Sequence, residues 1–360
     1  MFYRFWKTAL AFLALGVLLS NPAFAIDTED TRMLHNPAVS ENHIAFSYSG
    51  DLWVADRDGG NPRRLTSHIG DEVLARFSPD GKTIAFTAEY DGNLDIFTVA
   101  VTGGVPKRLT WHPGPDLVRD FAPDGKSVLF VSARNTHTNR FLQLYSVSLE
   151  GGMPTQLPVP SAWKASYSPD GSKIAYTPLQ EPFAQWKHYR GGRISRVWVY
   201  DVKTQDVVEV PKPEGGCNDT DPMWVGDRVY FTSDRAGEFN LFSFDPSTNQ
   251  VTQQTFDADF PMRGASTDGK TIVYEKAGYL HIFNALNPAA KRLQIGISAD
   301  LVETRPRYMS GDQYIQAASL SPSGSRAVFE FRGEIVSVPK KKGDVRVLTH
   351  TPGVHERSPE

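Results

Sequence analysis

The 360 residues carry a formal net charge of −3, and 40% of them are hydrophobic, as in an ordinary soluble globular protein. That length exceeds what one compact core usually holds, so two units or one large repeat architecture is expected. The mildly acidic balance excludes generic nucleic-acid binding.

The first 25 residues read as a secretory leader. Arg4 and Lys7 precede the apolar run "ALAFLALGVLL" (9–19), and Ala23-Phe24-Ala25 supplies a small-x-small cleavage pattern. The run is short for a membrane-spanning helix, which needs about 20 apolar residues. Cleavage is expected after Ala25, leaving an exported, periplasmic chain whose only link to the membrane was the leader. Losing Arg4 and Lys7 takes the formal charge from −3 to −5.

Repeats follow. "RFSPDGKTIAFT" begins at Arg76, "DFAPDGKSVLFV" at Asp120 and "SYSPDGSKIAYT" at Ser166. An earlier copy, "NPAVSENHIAFS", starts at Asn36, and later ones start at Pro222, Arg263 and Ser319. Proline presets φ for the first central position of a turn, Asp tolerates the second, and Gly takes the positive φ that closes a bulged hairpin. Behind each turn a strand alternates, with Ile84 and Phe86 on one face and Ala85 on the other. A third strand follows, as in "DLWVAD" (51–56), and a fourth often ends in Leu-Thr, as in "PRRLT" (62–66). Trp53, Trp198 and Trp224 fall in strand patterns and read as packing residues. Asp80, Asp124 and Asp170 read as turn caps, and His68, His112 and His350, each after Leu-Thr, as turn residues rather than metal ligands. Cys217 is the only cysteine, so no intrachain disulfide forms, and it reads as a free, non-catalytic thiol.

The octet "GASTDGKT" (264–271) fits the P-loop pattern G-x-x-x-x-G-K-[ST]. A P-loop needs a helix after it, whereas "TIVYEKAGYLHIF" reads as two strands and a turn. The octet is therefore another repeat turn, with Gly264 matching by coincidence, and no nucleotide is expected.

Four short strands per 40–50 residues are the mark of a β-propeller. The expected fold is all-β: a six-bladed propeller of four-stranded antiparallel blades over 26–310, then the first blade of a second, seven-bladed propeller over 311–360. Blades are expected to begin near 34, 75, 119, 165, 220 and 262, and a seventh near 314. The end, "LTHTPGVHERSPE", stops where another turn is due and so looks truncated.

Beyond the turns, "NPAVSENHIAFSYSGDLWV" (36–54), "AEYDGN" (88–93), "WKHYRGG" (186–192), "MWVGDRVYFTSDR" (223–235), "VETRPRYM" (302–309) and "RGEIVSVPKKKGDVRVLTHTPGVHERSP" (332–359) stand out. Together they resemble the amino-terminal, WD40-like propeller region of bacterial tricorn protease homologues. The resemblance implies PDZ-like and serine-peptidase regions further on, with propellers that pass short peptides to and from the catalytic chamber. No catalytic residue carries over, since the family's serine and histidine lie outside this stretch, so this chain alone is expected to be inactive. The implied partners are short peptides and the C-terminal PDZ and catalytic region; homo-oligomerisation of the full-length protein stays open. The alternative is a periplasmic, TolB-like interaction propeller. An enzyme with its site on the propeller axis would need convergent acidic, His or metal-binding side chains there, and the repeats display no such set. No cofactor and no metal is expected.

One insertion, "PLQEPFAQWKHYRGGRIS" (178–195), supplies the candidate peptide-channel residues Trp186, Lys187, Tyr189 and Arg190. Either its cations meet peptide carboxylates at a channel mouth, or its rings pack on a neighbouring blade.

Overall fold

The computed structural model describes residues 27–360, apart from 138–140, 181–182, 184–185, 302–307, 309 and 352–353. The expected leader with its cleavage position at Ala25 lies outside the described residues, as does most of "VETRPRYM". The chain divides into two compact units between Asp300 and Leu301.

The first unit holds six four-stranded antiparallel sheets, each made of consecutive strands in sequence order. Their innermost strands are His35–Val39, Glu72–Phe77, Asp116–Phe121, Lys164–Tyr167, Asp219–Val225 and Arg263–Thr267. Each innermost strand contacts the next, and Arg263–Thr267 contacts His35–Val39, so the six sheets form a ring of propeller blades. Blades 2 and 3 begin a few residues before the expected positions. The extra turns of strand carry Glu72 and Asp116, buried carboxylates that do not look like strand formers.

Alternation along the second strands assembles the core. Ile84 and Phe86 pack back against Ala38, Ala45 and Leu52 of blade 1. Ala85 faces forward, among Val128, Phe130 and Tyr145 of blade 3. Ala175 likewise meets Phe231 and Phe244 of blade 5. Large on one face and small on the other lets twisted sheets nest, and each fully buried Ile or Phe contributes about 1.5–3 kcal/mol.

The outermost strands Arg63–Arg64 and Lys107–Arg108 have only two residues. The third strand's next N–H would then lack a partner. The Leu-Thr motif supplies one: the hydroxyls of Thr66 and Thr110 accept the amides of Leu52 and Ile96 at 2.9 and 3.0 Å, and Thr255, which follows Gln254, accepts the Leu241 amide at 2.9 Å in the same way. The turn aspartates act as caps, Asp80, Asp124 and Asp170 accepting the amide two residues on. Gly81, Gly125 and Gly171 take the positive φ there.

The ring closes without a shared strand. Thr31 N donates to Ile295 O and Met33 N to Gly278 O, both at 2.8 Å, and Ser266 Oγ donates to Pro37 O at 2.8 Å. Arg57 pairs with Asp268 at 2.9 Å.

The second unit contains one four-stranded sheet: Ile315–Leu320, Arg326–Phe331, Glu334–Pro339 and Arg346–Val347. Among its described residues only Glu330, Gly333 and Ser337 are buried, while Leu320, Val347 and Leu348 are exposed.

Candidate functional site: the axial cavity

Innermost strands are edge strands, with one side unpaired toward the ring axis. In four blades the pairing with the second strand is broken by a bulge, between His35 and Ala38, Val73 and Arg76, Thr220 and Met223, and Arg263 and Ser266. At each bulge one residue enters the left-handed region: Asn36, Leu74, Asp221 and Gly264. A bulge turns its side chain out of the pleat, and these four line a common axial cavity of about 210 Å³. In blade 3 the extra residue is Arg119, between Val118 and Asp120. Blade 4 keeps an unbroken register and contributes Lys164.

Charged groups on the wall serve the backbone of their neighbours. Arg76 Nε donates to Arg119 O at 2.9 Å, and its Nη1 to Ala75 O at 2.7 Å. Arg119 donates to Val118 O at 3.0 Å and to Trp163 O. Asp120 accepts the Phe121 and Tyr167 amides at 2.8 and 3.0 Å. Lys164 pairs with Asp221, which also accepts Thr232 Oγ1. Glu275, on the second strand of blade 6, accepts the Asn36 amide at 2.7 Å. Burial pushes the Asp120 and Glu275 carboxyls above their usual range, against those same hydrogen bonds. Burial also lowers the Arg76 pKa, against the attraction of Asp120 and Asp221.

Four cations and three carboxylates thus converge where the repeats displayed no such set. The signal was present in a different form. Arg76, Asp120 and Ser166 occupy the same place in three repeats, three residues before the turn proline. They line the cavity and differ in chemistry while their flanks repeat. No histidine and no cysteine occurs among the described lining residues. No group of His, Cys, Asp and Glu able to hold a metal occurs among the described residues.

Trp186, Lys187, Tyr189 and Arg190 do not line this cavity. Lys187 pairs with Glu238 at 2.5 Å and Arg190 with Asp234 at 2.7 Å, both on blade 5. The Tyr189 carbonyl accepts Asn218 Nδ2 at 3.0 Å, and the Trp186 and Tyr189 rings meet edge to face at 5.1 Å. Burial works against the Asp234 charge, but hydrogen bonds from Arg190 and Asn218 hold its pKa below the usual value. Phe183, from the same insertion, does reach the cavity, with the Arg263 guanidinium 4.4 Å above its ring.

Gly264 belongs to the wall, which gives its presence in the octet a physical cause. A Cβ at its φ of +58° would stand 2.5 Å from Glu275 Oε1. The octet runs on into a strand, Thr271–Lys276, with Asp268 accepting the Lys270 and Thr271 amides, so no phosphate cradle forms. His68 and His112 accept the Gly70 and Gly114 amides, as turn residues do. Cys217 is buried, and burial beside Asp219 pushes its thiol up to about 12.

Comparison with known proteins agrees with this architecture. The family model described as the tricorn protease N-terminal beta propeller domain matches residues 31–289. Tricorn protease homolog 1 of Streptomyces coelicolor is 30% identical over 317 residues, covering 88% of this chain and 30% of that protein. Putative tricorn protease homolog 2 of the same organism is 31% identical over 340 residues, covering 91% and 28%. The crystal structure of the tricorn protease superposes with a TM-score of 0.72 at 24% identity, covering 89% of this chain and 31% of that one. The chain therefore spans about three tenths of the length of the curated relatives it matches. With the matched region taking in nearly all of the six-sheet ring, the chain belongs to the tricorn protease N-terminal β-propeller family.

Proposed function

We propose that this chain is the non-catalytic propeller portion of an exported, periplasmic tricorn-like serine peptidase, where its ring forms a peptide-filtering passage beside the catalytic core. The observation that carries the reading is the axial cavity, walled by all six blades with fixed charges of both signs. A cavity of about 210 Å³ admits a short extended segment and rejects a folded domain. Guanidinium and carboxylate groups on its wall offer partners to both ends and the side chains of a short peptide. Trp186, Lys187, Tyr189 and Arg190 act in this reading as the clasp that holds Phe183 at the wall.

The 360-residue chain alone is assayed against short peptides and esters, beside the complete product of its gene. The isolated chain gives background rates, and the complete product hydrolyses short peptides with sensitivity to serine-directed inhibitors. Robust turnover by the isolated chain, abolished by Asp221→Asn, overturns the reading in favour of an axial enzyme. A complete product without peptidase activity that docks a protein partner overturns it in favour of a TolB-like interaction propeller.

A further inference from the structure

An acid opens the innermost strand in three blades. Glu72, Asp116 and Asp219 each pair with the residue two places past a core phenylalanine of the second strand: Ala88 after Phe86, Ser132 after Phe130 and Ser233 after Phe231. All three acids are buried. In blades 3 and 5 an arginine four places past the same phenylalanine meets the acid. Arg134 reaches Asp116 at 2.6 Å and lies over Phe130 and Tyr145. Arg235 reaches Asp219 at 2.9 Å and lies over Phe231 and Phe242. In blade 2 that place belongs to Tyr90, whose ring packs on Phe97 at 4.6 Å. Glu72 is 0% exposed, and neither of its oxygens accepts a hydrogen bond among the described residues. A second buried carboxylate stands near it: Asp51, which Arg64 holds at 2.5 Å. Two buried carboxylates thus share one guanidinium here. One blade on, the corresponding Asp95 and Asp116 have two, from Arg108 and Arg134.

A buried carboxylate without its own cation is far more stable protonated than charged. Burial lifts the Glu72 carboxyl to about 7, with Asp51 acting in the same direction and Arg64 against it. Tyr90 supplies no compensating charge, since burial and the two carboxylates push its hydroxyl above the usual range. On the blade 1 side burial favours the neutral form of His35, against the attraction of Asp71. His68 stacks on Tyr90 at 4.4 Å, and Asp71 and Glu89 are exposed. The Glu72 backbone ties blade 2 to blade 1: its N–H donates to Gly50 O and its C=O accepts Ser47 Oγ, both at 2.7 Å. Two and four residues further on, Leu74 and Arg76 line the axial cavity, Leu74 in the left-handed region at a φ of +57°. We propose that Glu72 is a proton latch for this wall: neutral, it seats the innermost strand of blade 2 against blade 1, and ionised beside Asp51 it releases that strand with Leu74 and Arg76. The latch is closed while the folded state keeps the proton and opens as pH rises through about 7. It rests on the proposed function in taking the cavity as the working site.

Hydrogen exchange of the 360-residue chain is measured at about pH 6 and about pH 8.5 and corrected for the intrinsic pH dependence of amide exchange. Protection in 72–77 falls about tenfold between the two, while 116–121 and 219–225, whose acids are paired with arginine, keep theirs. Glu72→Gln, neutral at either pH, removes the fall. Tyr90→Arg removes it too, by installing the guanidinium of blades 3 and 5 and letting Glu72 stay charged throughout. His68→Gln keeps the fall of the parent. Constant protection in 72–77, an equal fall in all six innermost strands, or a fall that survives in Glu72→Gln or Tyr90→Arg overturns the latch. A fall lost in His68→Gln overturns it as well, by placing the sensor on the imidazole. The readout uses no peptidase activity, so a failed latch leaves the proposed function standing, and a failed peptidase assay leaves the latch in place.

Discussion

The Asn36 amide donates to Glu275 Oε1 at 2.7 Å, joining the first and sixth blades across 239 residues of sequence. Because no strand is exchanged between the ends, this bond and the Thr31–Ile295 and Met33–Gly278 pairs hold the ring shut. Glu275 thereby acts at the seam and on the cavity wall at once.

Gly264 faces that carboxylate, so Gly264→Ala is expected to lower stability by about 2 kcal/mol through a strained φ and a displaced Glu275. In a Glu275→Ala background the same change costs less, since the clash is gone. A double-mutant cycle read by chemical denaturation measures the coupling. Additive effects would show that Gly264 does not act through Glu275.

Glu72 gives the fold a pH dependence. Burial raises its pKa to about 7, and the neighbouring Asp51 raises it further. The folded state therefore keeps a proton that the unfolded state releases from about pH 4.5 upward. Stability from this group is present below that value and is lost as pH rises to about 7. Glu72→Gln, which mimics the protonated form, is expected to gain about 3 kcal/mol on the parent between pH 4.5 and 8. Parallel stability–pH curves for the two proteins would refute the assignment.

Lys270→Ala is expected to leave the thermal midpoint unchanged, because Lys270 sits exposed at a hairpin tip. Gly269→Val, at a φ of +85°, is expected to lower it by several degrees. Neither the parent nor the variants bind ATP in calorimetry. Saturable binding lost in Lys270→Ala would contradict the strand that follows the turn.

Cys217 reports on unfolding. With its thiol pushed up to about 12 and the sulfur buried, it is expected to react with a disulfide reagent only when blades 4 and 5 separate. The labelling rate then rises with denaturant along the unfolding curve. Rapid labelling of the native protein would place the sulfur at the surface.

Limited proteolysis is expected to cut between 296 and 318 and leave the six-sheet unit as a cooperatively unfolding core. A lone four-stranded sheet with few buried side chains has little stability of its own. Equal protease resistance of residues 315–347 and the first six sheets would make the chain one folding unit.

The repeated S-P-D-G turns, the Ile-Ala-Phe alternation and the Leu-Thr endings were legible in the sequence because they solve the same local problem in blade after blade. Turn φ, sheet pleat and a capped strand end depend on residues within a few positions of one another, so composition and spacing determine them. Four-stranded blades, their approximate starts and the rejection of a nucleotide site follow from that alone. The cavity wall was not legible. Arg76, Asp120, Lys164, Asp221, Gly264 and Glu275 come from five blades and differ in chemistry even where, as Arg76 and Asp120 do, they hold the same place in the repeat, since each complements a different neighbour around the axis. The insertion at 178–195 stood out by its aromatics and cations, yet Glu238 and Asp234 of blade 5 engage Lys187 and Arg190, and among its described residues only Phe183 lines the cavity. Local chemistry fixes a blade. Only ring closure brings residues of every blade to a common axis, so only the tertiary structure decided which side chains form the site.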